Sequence, residues 1–489
     1  MKHEIPFSNN EQSDETKKSF EETEIQKSRS WINSTSNLPI IPFNWNGYDL
    51  FFVLILTFLG LFLRTWLLHQ PLNYTEFELS TLIRIHHYHN RTFFVSTNPP
   101  FQEMLMAFIS TQMEYQCDYS LSSNPYYEFP DTMYVSIRSI SAFFSMITIP
   151  IMYLTMRSFG SQQFFSFIAS FICVFSPILI STSRNIDICG GNLFYCSMAL
   201  FFAGLSHHFQ YGSAIQLSFI ILLGVSASAA FSSSFITFPI VIFSILWPFF
   251  RFNSKRHMFM NSVLVFVILY LSCLCHLLFL PIIDGYHAKS FIVSNFTSFT
   301  SHDYQPCQLW HLRYSFVYLV SLLYRFFRNS VVNLIHLPIK NIFFKLFLLE
   351  KWHVIWTNQK RYVTCFTTKV VTFPAALCAF FSTVNSIRKR QLNPRTSVCL
   401  LFVSFLIFNA IIYHPPKSGC YDSYLAEYFG IMVFVLLIED NFSVQIAGML
   451  LTSLCIYIFL SFLNSATIIY PYTNPSKSLA NYLQSITQK

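Results

Sequence analysis

The feature that most constrains this chain is a succession of apolar stretches, each about twenty residues long and almost free of charge. The first contains YDLFFVLILTFLGLFLRTWLL. As a helix rising about 1.5 Å per residue, such a stretch covers the hydrocarbon core of a bilayer, about 30 Å. A backbone facing lipid must satisfy its own polar groups, so the helix is the form expected. The first stretch covers residues 49–68. Others lie near 134–156, 162–181, 190–206, 213–231, 234–250, 259–281, 369–387, 396–413, 424–438 and 443–463. The expected fold is therefore an all-α polytopic membrane protein with about eleven transmembrane helices. Composition agrees: 53% of residues are hydrophobic and 11% charged, against about 25% charged in a soluble domain.

Charge fixes the expected orientation. Lys17, Lys18, Lys27 and Arg29 precede the first crossing. Arg251, Lys255 and Arg256 fall between the sixth and seventh, and Arg388, Lys389, Arg390 and Arg395 between the eighth and ninth. An even number of crossings separates these clusters, so all three share one side, which basic residues mark as cytosolic. The net charge of +8 is thus a topological signature, not one of nucleic-acid binding. Residues 1–48 are polar and read as a disordered cytosolic tail, which leaves the first crossing as an uncleaved anchor. Residues 49–281 form an N-terminal membrane core with a lumenal loop at 69–133. Residues 282–368 form a second lumenal loop, 369–463 a four-helix part and 464–489 a tail. Within the loops, MLMAFI, SFVYLVSLLYRFF and NIFFKLFLL are expected to lie in the interface rather than cross it. Sequons at Asn73, Asn90 and Asn295 fall on the lumenal side; those at Asn33 and Asn441 fall on the other.

Several chemistries are excluded by spacing. The 12 cysteines include no C-x-x-C pair, so no zinc pattern arises. His86, His87 and His89 lack acids at metal-binding spacing and read as a wet helix face. No internal repeat is found and charges sit at span ends, which argues against a carrier.

The first lumenal loop carries the densest set of polar and unusual residues: NYTEFELSTLIRIHHYHNRTFFVSTNPPFQEML, residues 73–105. It resembles the first lumenal loop of the protein O-mannosyltransferase family. There an Asp-Glu pair is followed by paired aromatics, His-Pro-Pro and Leu-x-Lys-x-Leu. Here Thr75-Glu76 stands for the acidic pair, Phe93-Phe94 for the aromatics, Asn98-Pro99-Pro100 for His-Pro-Pro, and Glu103 replaces the Lys. The likeness continues in YVSIRSISAFFSMITIPIMYLTMRSFG (134–160), with Arg138 and Arg157 in place. In STSRNIDIC (181–189) the family's Asp aligns with Cys189. In GVSASAAFSSSFITF (224–238), Ser234 replaces a Lys. In YHPPKSGCYDSYLAEYF (413–429), Lys417 stands for an Arg. The family's lumenal β-trefoil domain has no room in the 282–368 loop.

The resemblance implies a GT-C type glycosyltransferase of the endoplasmic reticulum membrane, with a cytosolic N-terminus and no metal or cofactor. Its donor would be dolichyl-phosphate mannose and its acceptor a Ser/Thr hydroxyl of a polypeptide, with inversion at the sugar. Such a reaction needs a carboxylate for the acceptor proton and a cation for the leaving phosphate. Glu76, with Glu78 second, is the expected base. Lys417, Arg184 and Arg138 are the expected donor-phosphate contacts, Arg by its forked donors. Asn98, Pro99 and Pro100 shape the loop, because two prolines fix φ and hold the preceding residue out of a helix. A homo- or heterodimer with a homologue is implied as a possible state. The alternative is a catalytically impaired relative that serves an active mannosyltransferase as partner or scaffold.

Overall fold

Over its described residues each expected crossing is helical, the third in two pieces, because each stretch is apolar enough to leave its backbone no other partner. The computed structural model describes residues 45–69, 76–96, 98–113, 115, 134–280, 310–336, 352–356, 361–365, 369–389, 393–412 and 424–469. Helix α1 is Gly47–Thr65, α2 Glu76–His89, α3 Phe101–Gln112 and α4 Tyr134–Ser158. Then come α5 Gln163–Phe175, α6 Pro177–Ser183, α7 Cys189–Ser206, α8 Ala214–Phe231, α9 Phe238–Phe252 and α10 Lys255–Phe279. After α11 (Trp310–His336), strands Trp352–Trp356 and Arg361–Cys365 pair antiparallel. The chain ends in α12 (Lys369–Lys389), α13 (Pro394–Ile407), α14 (Tyr424–Asn441) and α15 (Val444–Ile469). Among the described residues, 7 helices are long and apolar enough to cross a membrane, and up to 8 if the bent pair α5 and α6 is one span. The hairpin inside the 282–368 region is the departure from an all-helical chain.

The third crossing, expected as one helix over 162–181, is broken. Pro177 has no N–H to give the carbonyl of Cys173, one turn back, and the two halves bend by 58°. Arg64 of α1 supplies the missing donor, its Nη2 lying 3.4 Å from that carbonyl. Its Nε donates to Ser145 Oγ at 3.0 Å. One charged side chain thus ties α1 to α4 and to the break.

Paired charges close one end of the bundle. Asp49, fully buried, accepts from Tyr153 Oη at 2.5 Å, Arg157 Nε at 3.0 Å and Gln163 Nε2 at 3.1 Å. Arg395 pairs with Asp440 and reaches the carbonyls of Phe159 and Gly160. Gly160 sits in the left-handed region, φ +80, which a side chain would strain.

The loop after α1 sits at the opposite end. Pro99 and Pro100 stop the extended segment, and Pro100 becomes the residue before α3. The first amide of α3, that of Phe101, donates to the carbonyl of Ser232 at 2.9 Å. Helix α3, expected at the interface, instead buries Gln102, Glu103, Met104, Met106, Ala107 and Ser110 among its neighbours. The paired aromatics pack on α10. Tyr88 Oη lies 2.6 Å from His276 Nδ1, His276 Nε2 lies 3.2 Å from the Phe94 carbonyl, and Tyr318 of α11 stacks on the same ring at 4.9 Å. Helix α11, longer than the SFVYLVSLLYRFF stretch, buries Tyr318, Leu319, Leu322 and Phe326. The stretch NIFFKLFLL lies outside the described residues.

Candidate functional site

Two arginines close the end of α1, where the last carbonyls lack intrahelical donors and carry the negative end of the helix dipole. Arg184 Nη1 donates to the Trp66 carbonyl at 2.5 Å and Nη2 to that of Leu67 at 2.7 Å. Arg138 Nη1 reaches the Leu68 carbonyl at 3.3 Å. Leu67 adopts φ 52, a left-handed conformation costly for a side chain, in the turn whose carbonyls accept from both guanidinium groups.

The rest of Arg138 faces Glu78. Nε and Nη2 meet Oε1 and Oε2 at 2.8 Å and 2.9 Å, and the guanidinium lies 4.8 Å from the Tyr134 ring centroid. Both side chains are 0% exposed. Glu78 Oε1 also accepts from the amide of Ile186 at 3.1 Å. This one carboxylate therefore joins α2, α4 and the turn at 184–188. A buried pair this well satisfied is a clamp. With both oxygens engaged and no exposure, Glu78 is unsuited to the base role foreseen for it, and Arg138 and Arg184 are committed to protein partners rather than presented to a donor phosphate.

A second pair lies beside the first. Arg84 of α2 pairs with Glu103 of α3, whose carboxylate is fully buried. Burial pushes the Glu103 acid up, against the opposing pull of Arg84. Glu103, where the family has Lys, so turns a cation of the pattern into the partner of one.

Asp187 completes the cluster. It lies in the short turn between α6 and α7, within electrostatic reach of Arg84 and Glu78. Unlike Glu78 and Glu103 it retains partial exposure. Its Oδ1 accepts from the Ile188 amide at 2.6 Å and Oδ2 from Cys189 Sγ at 3.0 Å. Burial raises its pKa above the usual aspartate value, Glu78 adds to the rise, and Cys189, Ile188 and Arg84 oppose it. The arrangement supplies a positioned carboxylate with raised proton affinity, flanked by acids already neutralised by arginine.

The turn is held from below. The carbonyl of Asp187 accepts from Ser141 Oγ at 2.8 Å. A Cβ on Gly190 would stand 2.5 Å from the Ser141 carbonyl oxygen, so only glycine allows α7 to approach α4 this closely. Gly190→Ala should therefore displace the turn and destabilise the fold by about 1–3 kcal/mol, read as an earlier thermal transition in detergent. Unchanged stability would mean that α4 and α7 yield freely there.

Of the other expected residues, Glu76 opens α2, and its side chain lies outside the described residues, as do Thr75 and the whole of Lys417. Asn98 donates its amide to Ser96 Oγ at 3.2 Å. The histidines find separate partners: His86 meets Asn90, His87 meets Thr92 and His89 meets Ser110. Asp187, Arg84 and Glu103 were missed as site residues. A sign was available: the turn at 184–188 follows a third crossing, so its acid returns to the face of the first loop.

This helical membrane core, with its acid and arginine cluster below the first loop, has the GT-C type architecture. It matches the archaeal oligosaccharyltransferase AglB from Archaeoglobus fulgidus with a TM-score of 0.50 at 13% identity, over 91% of this chain and 58% of that one. Residues 54–293, just under half of the chain, match the family model of the Dolichyl-phosphate-mannose-protein mannosyltransferases, and over that segment the chain is similar to the protein O-mannosyltransferase family. Dolichyl-phosphate-mannose--protein mannosyltransferase 4 of Candida albicans is 26% identical over 171 residues, 33% of this chain and 22% of that protein. The S. cerevisiae protein O-mannosyltransferase Pmt1-Pmt2 complex bound to the sugar donor is also similar, with 20% identity and a TM-score of 0.46, covering 52% of this chain and 38% of that one. The chain thus aligns with less than two thirds of the length of either mannosyltransferase.

Proposed function

We propose that this chain transfers mannose from dolichyl-phosphate mannose to Ser or Thr hydroxyls of polypeptides at the lumenal face of the endoplasmic reticulum membrane, with inversion. The observation that carries this reading is Asp187, a partly exposed acid beside the Glu78–Arg138 clamp and the Arg84–Glu103 pair, within the segment that matches the family. In the proposed step the Asp187 carboxylate takes the proton of the acceptor hydroxyl. The freed oxygen attacks C1 of mannose, and the bond from C1 to the phosphate oxygen breaks on the opposite face. Dolichyl phosphate leaves with the electron pair. A raised pKa suits this role, since proton transfer is best when the base lies nearer the working pH. Glu78 and Arg138 act as positioning residues. Lys417 keeps the donor-phosphate role that the sequence suggests, as a point charge, and Glu76, the first base expected from the sequence, is retained as an alternative acid at the start of α2.

The orientation proposed is the one that basic clusters favour: N-terminus cytosolic, acid cluster lumenal. The test is incubation of the purified chain with labelled dolichyl-phosphate mannose and a Ser/Thr-rich peptide. Label on the peptide in the inverted configuration is expected. Donor binding without transfer would instead support the role of a non-catalytic partner.

A further inference from the structure

A groove separate from the acid cluster runs along the bundle between α9 and α13. The two helices are antiparallel: Phe238, at the start of α9, meets Phe408, just past the end of α13, with ring centroids 5.7 Å apart. The groove extends from Pro239 and Ser404 at that end to Arg251 and Pro394 at the other, with a cavity volume of about 240 Å³. Its walls are mostly apolar, with Phe243, Trp247 and Leu400 prominent, and Asn393 and Ser397 add polar atoms on the α13 side. From Pro239 to Arg251 the helix rises about 18 Å. One leaflet contributes about half of a 30 Å core, so the groove matches a single acyl chain and not a whole bilayer.

Charge distinguishes its two ends. Arg251 lines the far end, and its Nε donates to His207 Nδ1 at 2.5 Å, which fixes the guanidinium. Burial and the neighbouring Arg251 hold His207 down to about 3, so it stays neutral and adds no competing charge. Lys255 and Arg256 follow directly and are exposed. The acids of this end are taken up elsewhere, Glu439 and Asp440 by Arg395 and Asp49 by Arg157. At the Pro239 end no charged residue lines the groove among the described residues.

We infer that this groove binds an anionic phospholipid of the leaflet at the Arg251 end, with an acyl chain between α9 and α13 and its phosphate against Arg251. The polarity argues against a polyprenyl donor as occupant, whose phosphate belongs at the end with the acid cluster. Basic residues at a membrane surface select anionic headgroups, and Arg, weakly hydrated and forked, suits a phosphate.

The test is native mass spectrometry of the full chain released from nanodiscs holding equal phosphatidylserine and phosphatidylcholine. The wild type should retain phosphatidylserine preferentially. Arg251→Gln should reduce that preference about fivefold, Arg251→Lys should keep most of it, and Leu400→Trp, which fills the groove, should release both lipids. Equal retention of the two lipids by the wild type would overturn the inference. So would an Arg251→Gln preference like the wild type's, or displacement of phosphatidylserine by added dolichyl phosphate. Should Arg251→Gln fail to fold, the wild-type preference and Leu400→Trp decide alone. None of these outcomes depends on sugar transfer.

Discussion

Asp187→Asn should lower mannose transfer by about 10²–10⁴-fold, the usual contribution of a positioned general base. Asparagine keeps the size of the side chain, and its Oδ1 can still accept from the Ile188 amide; its Nδ2, a donor, gives up only the weak bond from Cys189 Sγ. It cannot take a proton. Donor affinity and thermal stability should therefore hold while turnover falls, and Asp187→Glu should restore part of the rate. The measurement is single-turnover transfer with donor binding determined in parallel. A rate within a fewfold of the wild type would remove Asp187 from the chemistry and return attention to Glu76.

Breaking the Glu78–Arg138 clamp should have the largest effect on the fold. Removing one member leaves a charge buried without its counter-ion, at a cost of about 3–5 kcal/mol. Arg138→Leu strands Glu78 and also frees the Leu68 carbonyl. Glu78→Leu strands Arg138 and the Ile186 amide. The double variant Glu78→Leu, Arg138→Leu should be more stable than the two single losses added together, because no charge is left unpaired. Denaturant unfolding in detergent micelles reads all three. Additive losses would mean that the two side chains contribute separately and that the clamp is not a unit.

Much of the fold was legible because crossing a membrane imposes a length and an apolar content that no other context requires. The runs at 134–156, 190–206 and 213–231 lie almost residue for residue on α4, α7 and α8. Less legible was the break at Pro177. Its proline was visible, but the donor that makes the break tolerable, Arg64, sits 109 residues from the carbonyl it serves. Helix α3 looked interfacial because its sequence shows a short apolar run. Only the packed neighbours reveal that Glu103 points inward to Arg84.

The site was legible in its place but not in its pairings. Two residues apart on a helix is about 200° around its axis, so the sequence leads one to expect only one of Glu76 and Glu78 on the face toward α4. Nothing local says which one faces Arg138, 60 residues on. The basic residues expected to meet phosphate were read one at a time, whereas Arg138 and Arg184 share the end of α1. Asp187 was hidden because the family's Asp aligns with Cys189, two residues later. The two are in fact neighbours in space, the thiol donating to the acid.

The most direct measurement is the pH dependence of single-turnover transfer at saturating donor. Asp187 must be ionised to accept a proton, and burial raises its pKa. The rate should thus be full above that raised value and fall as pH drops through it. The acidic limb should stand above the ordinary aspartate value, about 3.9, and should shift in Asp187→Glu. A profile that stays flat down to about pH 4, or a limb identical in the Asp187→Glu variant, would contradict a proton-accepting role for Asp187.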